Sequence, residues 1–326
     1  MMVNRRAYPA DAVVGHAPAP DGWPLRFIRY AEPAGVVRGS ILFMGGRGDH
    51  FEKYIETLSH WHATGWQVES VDWRGQGGSG RLSDDPHVGH ADDFAPWVAD
   101  LADWARQWQA CTPAPHIIMG HSMGGHLLLR ALAERAVAPD AAVLVAPMLG
   151  FAGDIPLAIG HFVARLMCRI GPAQRPAWSS SEKPGSPARL RQYLLTHDDG
   201  RYADEQWWHA HAPQTVMGPA SWRWVDAAYR SLRQQNRPGM LEHVAVPVLI
   251  LSATRDQLVS ARAIRRAAAR LPHATLHEYG ADASHELLRE VDNVRDDALA
   301  RIGAFLREAT GAAPGHAPIL AGRPPA

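Results

Sequence analysis

Residues 117–134 read IIMGHSMGGHLLLRALAE, and the segment changes character within a few positions. An apolar run ends in Gly-His-Ser-Met-Gly-Gly, and a leucine-rich pattern with helical spacing follows at once. This order predicts a strand, a tight turn and a helix that begins within the turn. Residues 120–124 fit the G-x-S-x-G arrangement, whose glycines let neighbouring backbone approach a serine on a strained turn. Ser122 is therefore a candidate nucleophile, and the alternative is a plain glycine-rich turn.

Short β-like runs alternate with helical runs along most of the chain. Strands rich in Val, Ile and Leu that alternate with helices are typical of a parallel sheet covered on both faces. The sequence therefore predicts an α/β fold with a mostly parallel central sheet, and residues 25–30 are expected to add an antiparallel edge strand. The predicted parallel strands span residues 40–46, 66–73, 116–121, 141–147, 246–254 and 274–280. The predicted helices span residues 51–64, 92–109, 122–136, 261–270 and 285–308.

Residues 148–243 interrupt this alternation and contain amphipathic pieces and five of the twelve tryptophans. An insertion of this size between strands predicts a helical lid over the carboxyl edge of the sheet, where ligands bind in open α/β folds. The tail is rich in Gly, Pro and Ala, which predicts disorder. The expected organisation is an N-terminal extension (1–20), a core (21–147 and 244–308), the lid (148–243) and a disordered tail (309–326).

A serine nucleophile on this kind of turn needs an acid and a base, in the chain order Ser, acid, His. Asp256 follows the penultimate predicted strand and His285 follows the last one, as that order demands. His285 would take the proton of Ser122, and Asp256 would orient the imidazole and stabilise its cation. Asp282 is a rival acid, but it lies too close along the loop to reach the far ring nitrogen. The alternatives are a helix-capping Asp256 and a surface His285.

Acyl transfer also needs N–H donors for the developing oxyanion. The backbone N–H of Met123, directly after the nucleophile, is one candidate. The other is a backbone N–H near Arg47, because Gly45, Gly46 and Gly48 permit close approach in the loop after an early strand. A tight turn without a ligand is the alternative for that loop.

The composition excludes several classes of protein. The 326 residues include 33 basic and 33 acidic side chains, so the basic footprint of a nucleic-acid-binding protein is missing. Two cysteines, Cys111 and Cys168, form no disulfide framework or metal spacing. The chain has no run of 18 apolar residues and no apolar signal region near its N-terminus. We therefore expect a cytoplasmic protein that is at most peripheral at the inner membrane.

Neither a metal nor a cofactor is predicted, because the mechanism sketched above needs none. The glycines within residues 75–80 lack the G-x-x-x-x-G-K-[ST] arrangement of a phosphate-binding loop. Two histidine pairs that could suggest metal ligands are expected to be ordinary polar residues. These pairs are His87 with His90 and His209 with His211.

Six apolar residues in the lid have helical spacing. They could pack the lid onto the core, or they could form an apolar wall for an acyl chain, and the sequence leaves both readings open. The residues are Ile155, Ile159, Phe162, Val163, Leu166 and Ile170.

Several motifs together resemble the α/β-hydrolase superfamily, and within it the bacterial lysophospholipases that are close relatives of monoacylglycerol lipases and of the serine aminopeptidase group. The motifs are DWRGQGGSGR (72–81), GHSMGG (120–125), LTHDDGRYADE (195–205), MGPASWRWVDAAYRSL (217–232) and SHELLRE (284–290). The likeness spans residues 24–306, lid included.

The resemblance implies a serine carboxylic ester hydrolase that releases a fatty acid from a single-chain glycerolipid, a lysophospholipid or a monoacylglycerol, through an acyl-enzyme. It implies triad roles for Ser122, Asp256 and His285, and oxyanion roles for Arg47 and Met123. Transient contact of the lid with a membrane surface is expected. Many lipase relatives have His-Gly before the oxyanion residue, where this chain has two glycines. An aminopeptidase, another small-ester hydrolase and a non-catalytic binding module remain alternatives.

Overall fold

A computed structural model describes residues 3–178 and 188–311 as an α/β fold built on one eight-stranded sheet. The strand order is β1-β2-β4-β3-β5-β6-β7-β8, with β1 and β2 antiparallel and the other six strands parallel. This architecture confirms the predicted fold class. The strands are β1 (Ala12–Pro18), β2 (Pro24–Tyr30), β3 (Ser40–Met44), β4 (Gln67–Val71), β5 (His116–His121), β6 (Ala141–Val145), β7 (Val248–Ala253) and β8 (Ala274–Tyr279).

Helices cover both faces of the sheet. The helices are α1 (Ile55–Ala63), α2 (Ala95–Cys111), α3 (Met123–Ala133), α4 (Leu157–Ile170), α5 (Ala188–Leu195), α6 (Asp199–His211), α7 (Trp222–Gln235), α8 (Ala261–Ala268) and α9 (Asp292–Thr310). The core beneath one face includes residues of α2, α3, α7 and α8, and the core beneath the other includes residues of α1 and α9. Within the described ranges, no helix combines the length and apolarity needed to cross a bilayer.

The central strands are continuous apolar runs in the sequence because they are buried on both faces of the sheet. Every residue of β3, β6 and β7 is buried, since each strand has neighbours on both sides and helices on both faces. The parallel arrangement brings the carboxyl ends of β3, β5, β6, β7 and β8 to one edge of the sheet. The loops after these strands are therefore neighbours, although they are far apart in the sequence.

Three boundary predictions need correction. Residues 25–30 do form an antiparallel strand, but the sheet edge belongs to β1, which lies within the predicted N-terminal extension. The last helix begins at Asp292 rather than His285, because Glu290 turns back to accept hydrogen bonds from the backbone N–H groups of Ser284 and His197. That helix continues to Thr310, and the remainder of the predicted disordered tail (312–326) lies outside the described residues.

Helices α4 to α7 lie between β6 and β7, in the range predicted as a lid, and are called the cap below. The surface of α4 that is buried carries small or polar residues, namely Gly160, His161 and Ala164. Gly160 permits close packing on α7, because a Cβ at this position would lie 2.2 Å from the ring of Tyr229. Helix α4 therefore packs closely on α7 through small and polar residues.

The six apolar residues of the lid stripe do not pack against the core. Their exposed fractions run from 42% for Leu166 to 67% for Phe162. None of the six is among the described residues that line the cavity at Ser122. In the arrangement seen here, the stripe neither joins the described core nor lines the cavity at Ser122.

Candidate active site

Ser122 lies between β5 and α3 with φ 51° and ψ −115°, a backbone conformation that L residues rarely adopt. The turn is held on both sides of the serine, since its N–H donates to Val145 O at 2.9 Å and its carbonyl accepts from Met148 N at 2.9 Å. A strained turn of this kind persists only where contacts with the surrounding structure hold it in place.

The glycines on either side of Ser122 are required because no Cβ would fit at their positions. A Cβ on Gly120 would lie 2.6 Å from backbone atoms of Gly124, and a Cβ on Gly124 would lie 2.4 Å from Gly45 O. Real Cβ contacts are essentially never shorter than 3.0 Å. The G-x-S-x-G spacing therefore lets the loop after β3 approach the serine turn closely.

His285 and Asp256 meet at this edge of the sheet, with the imidazole Nδ1 2.7 Å from the carboxylate Oδ2. The other oxygen, Oδ1, accepts the N–H groups of Leu258 at 2.8 Å and Val259 at 3.0 Å, so the carboxylate is fixed. Burial alone would lower the pKa of His285, but the charge of Asp256 and its hydrogen bond raise it above the ordinary value of 6.5. Asp282, the rival acid, lies exposed on the surface.

Ser122 and His285 line one cavity of about 210 Å³ at the carboxyl edge of the sheet. Apolar residues from the segment between β6 and β7, two of them tryptophans, also line this cavity. These apolar lining residues are Met148, Phe151, Trp178, Leu194, Leu195 and Trp224. The arrangement places a serine and an imidazole in a cavity that can accept an apolar group.

The loop after β3 supplies Gly46 and Arg47 to the same cavity. The Gly46 N–H donates to Asp49 Oδ2 at 2.7 Å within this loop, and the same oxygen lies 3.1 Å from Nδ1 of His121, the residue before Ser122. The Arg47 guanidinium donates to Gly218 O at 2.9 Å and lies 5.5 Å from the ring of Trp178, so this residue also ties the loop to the cap. Met123 is the first residue of α3, and the first N–H groups of a helix have no partner within it.

A buried charge network beside the candidate triad was not predicted from the sequence. Asp49 Oδ2 accepts from the Tyr54 hydroxyl at 2.8 Å and lies 3.1 Å from His121 Nδ1, and Lys53 Nζ donates to Asp49 Oδ1 at 2.5 Å. Lys53 Nζ also donates to Glu286 Oε1 at 2.7 Å. The ammonium group therefore joins the loop after β3 to the residue that follows His285.

Lys53 is one of only two lysines in the chain, which otherwise uses arginine as its cation. A compact ammonium with three donors suits this position, because a third carboxylate, Glu205 of the cap, lies 3.5 Å away. Burial alone would raise the pKa of Asp49, but Lys53 and His121 hold it well below its usual range. Glu286 and Glu205 are also paired with the buried Arg289, so the network is compensated.

One local signal could have pointed to this network. Asp49 and Lys53 are four residues apart where a short 3-10 helix (Phe51–Tyr54) begins, a spacing at which opposite charges pair. The partner Glu286 is 233 residues away, and no local pattern identifies it.

The histidines considered as metal ligands have other contacts. His90 Nδ1 lies 2.8 Å from Ser221 Oγ, and the ring of His211 stacks on Trp207 with centroids 3.9 Å apart. His209 lies 3.9 Å from Glu205, and His87 is exposed.

The chain is similar to known proteins in sequence and in fold. The chain matches the family described as serine aminopeptidase, S33, over residues 35–292. Lysophospholipase L2 of Escherichia coli strain K12 is 30% identical over 296 residues, which cover 87% of this chain and 84% of that protein. Monoglyceride lipase of Rattus norvegicus is 30% identical over 133 residues, 38% of this chain and 39% of that protein. A soluble variant of monoglyceride lipase from Saccharomyces cerevisiae, solved with a substrate analogue, has the same fold with a TM-score of 0.72 at 16% identity, covering 94% of this chain and 99% of that one.

Proposed function

Since the chain belongs to the serine aminopeptidase S33 family of α/β hydrolases, we propose that it hydrolyses the ester bond of a single-chain glycerolipid and releases the fatty acid. The observation that supports the proposal is the cavity that Ser122 and His285 line together with apolar side chains. A relative matched over most of both chains is named a lysophospholipase, and a relative matched over a shorter stretch is named a monoglyceride lipase. Lysophospholipids and monoacylglycerols are therefore the proposed substrates.

In the proposed mechanism, His285 accepts the hydroxyl proton while Ser122 Oγ attacks the acyl carbonyl. The N–H groups of Arg47 and Met123 would hold the oxyanion of the tetrahedral intermediate. The C–O bond to the glycerol then breaks, and His285 returns its proton to the leaving oxygen. A water molecule, deprotonated by His285, next attacks the acyl-enzyme, which releases the fatty acid and restores the serine.

The cavity is a poor match for the alternative of an aminopeptidase. A free N-terminus carries an ammonium group, which needs an uncompensated carboxylate. Both carboxylates that line the cavity next to Lys53, those of Asp49 and Glu286, already pair with its ammonium. The cap carboxylate of Glu205 pairs with Arg191 at 2.8 Å. These pairings favour a neutral ester over a peptide N-terminus.

The substrate is tested by measuring fatty-acid release from lysophosphatidylcholine and from a monoacylglycerol, with a fluorophosphonate probe applied in parallel. We expect release from at least one lipid and covalent labelling of Ser122. Labelling without release from either lipid would retain the serine hydrolase and reject the substrate class. Failure of both would favour a non-catalytic binding module.

The raised pKa of His285 predicts the acid limb of the pH profile. Below that pKa the imidazole carries a proton and cannot accept one from Ser122, so kcat/KM should fall as the pH drops through a value above 6.5. Asp256→Asn removes the negative charge that raises the pKa of His285. The fall of kcat/KM on the acid side should therefore occur at lower pH, and kcat should decrease by about 10⁴-fold. Profiles measured on a soluble ester check both effects, and an unmoved limb would contradict the assignment of Asp256.

A further inference from the structure

Arg191 lies on the side of helix α5 that meets the cavity at Ser122. Arg191, Leu194 and Leu195 all line this cavity, and their spacing of three and four residues puts them on one face of the helix. Tyr193, on another face, is 60% exposed. Burial of a cation is costly unless the cation is paired and hydrogen-bonded. Packing alone would be served by another apolar side chain here, so the guanidinium indicates a polar partner.

The contacts of Arg191 with the protein leave part of its guanidinium unused. Its Nη2 lies 2.8 Å from Glu205 Oε1, whereas its Nη1 is buried and makes no hydrogen bond with any described residue. Glu205 does not depend on Arg191 alone, because Arg289 Nη1 donates to its Oε2 at 3.0 Å. A guanidinium has five N–H donors in a planar fork. Arg191 therefore has a donor available for a further acceptor, and the cavity that it lines is where an acceptor can approach.

The ionised side chains around the cavity favour an anion. Among the described residues that line it, the cations are Arg47, Lys53 and Arg191, and the carboxylates are Asp49 and Glu286. Lys53 pairs with both carboxylates, at 2.5 Å from Asp49 and 2.7 Å from Glu286. Three positive groups therefore face two negative ones, and a bound anion would balance the excess.

A phosphodiester is the anion that suits this position in a lipid hydrolase. Guanidinium N–H groups bind phosphate oxygens in pairs, with a geometry that an ammonium does not match. The apolar residues of the same cavity can accept an acyl chain, so both parts of a lysophospholipid find complementary side chains. A monoacylglycerol has a hydroxyl in place of the phosphodiester and offers Arg191 no charge.

We propose that Arg191 binds the phosphodiester of a lysophospholipid and thereby makes the cavity select this substrate over a monoacylglycerol. The proposal rests on the lipid hydrolase proposed above and chooses between its two substrates. Arg191 is in this assignment a specificity-determining residue, which contacts the head group and none of the reacting atoms. Removal of its guanidinium should therefore raise KM more than it lowers kcat.

The test compares lysophosphatidylglycerol with a monoacylglycerol that has the same short acyl chain, both dissolved as monomers. The first substrate adds a phosphodiester without adding an ammonium group. In Arg191→Met the ratio of the two kcat/KM values should fall about tenfold to a hundredfold, as expected when a hydrogen-bonded charge pair is lost. Arg191→Lys keeps the charge but not the paired donors, so it should give an intermediate ratio. Arg165→Met is the matched control and should keep the parental ratio, because Arg165 is exposed on α4 and is not among the described lining residues.

Inhibition gives an independent measurement. Glycerol 3-phosphate should inhibit the hydrolysis of the monoacylglycerol by the parent much more strongly than glycerol does, and this difference should be lost in Arg191→Met. Inhibition by inorganic phosphate as strong as that by glycerol 3-phosphate, with no preference of the parent for lysophosphatidylglycerol, would assign Arg191 to a free anion and overturn the proposal.

Equal losses with both substrates in Arg191→Met would make Arg191 a structural residue of the cap and overturn the proposal, as would an unchanged ratio. If Arg191→Met does not fold, the ratio in Arg191→Lys decides between the same outcomes. Calorimetry on the full chain with Ser122→Ala, which leaves the lipid intact, separates this proposal from the proposed function. If the active chain hydrolyses neither lipid, but Ser122→Ala binds lysophosphatidylglycerol and loses that binding when Arg191→Met is added, the proposed function fails and the phosphodiester site stands. Hydrolysis of both lipids with the same ratio in parent and variants would retain the function and reject the site.

Discussion

Replacing Ser122 by alanine is expected to lower kcat for ester hydrolysis about 10⁶-fold, to a residual rate set by binding and the oxyanion donors. In the proposed mechanism the loss is that large because the hydroxyl forms the acyl-enzyme, and His285 and Asp256 have no nucleophile to activate without it. Ser122, His285 and Asp256 are proposed to act as one unit, so the effects of replacing them are not additive. His285→Ala should therefore cost nearly as much, and the double variant little more than either single one.

The measurement is single-turnover fatty-acid release, with folding checked by chemical denaturation. Ser252→Ala is a suitable control, because the Ser252 hydroxyl is buried and makes no hydrogen bond with any described residue. This control should keep its rate within a few-fold of the parent. Multiplicative losses in the Ser122/His285 double variant would contradict a shared mechanism.

Replacing Lys53 by methionine is expected to lower the free energy of unfolding by about 3–5 kcal/mol. The methionine fills a similar volume, but it leaves the carboxylates of Asp49 and Glu286 without the ammonium that joins them. The loss of stability comes from these buried negative charges, which no longer have the ammonium beside them. Ester hydrolysis should fall as well, because Asp49 also accepts the Gly46 N–H and so positions the loop of the proposed oxyanion donor.

Chemical denaturation and kcat measured on a soluble ester separate these two effects. Asp49→Asn in the Lys53→Met background removes one of the uncompensated charges and should recover part of the stability. Arg106→Met deletes the cation of an exposed pair with Asp103, and such pairs contribute about 0–1 kcal/mol. A loss in Lys53→Met no larger than in that control would show that the network is not needed for stability.

The candidate triad could be predicted because its signals are local or ordered along the chain. The glycines around Ser122 mark a close backbone approach, and Asp256 and His285 each follow a recognisable strand. Parallel strands bring their carboxyl ends to one edge, so the order of elements was enough to expect these side chains to meet.

The edge strand β1 was missed because its two valines, Val13 and Val14, are adjacent in the sequence and both exposed, so the run lacks the apolar alternation of a half-buried strand. A turn signal was nevertheless present. Pro20-Asp21-Gly22 lies between β1 and β2, and Gly22 adopts φ 84° there.

The sequence by itself determined the α/β order of elements, the strained serine turn and the place of its partners, because periodicity and turn chemistry act over a few residues. Only the tertiary structure decided which side of α4 faces solvent, since a helical repeat of apolar residues is the same whether it meets a core or water. It also decided that Lys53 joins Asp49 to Glu286, because compensation of buried charge depends on distances between segments more than 200 residues apart.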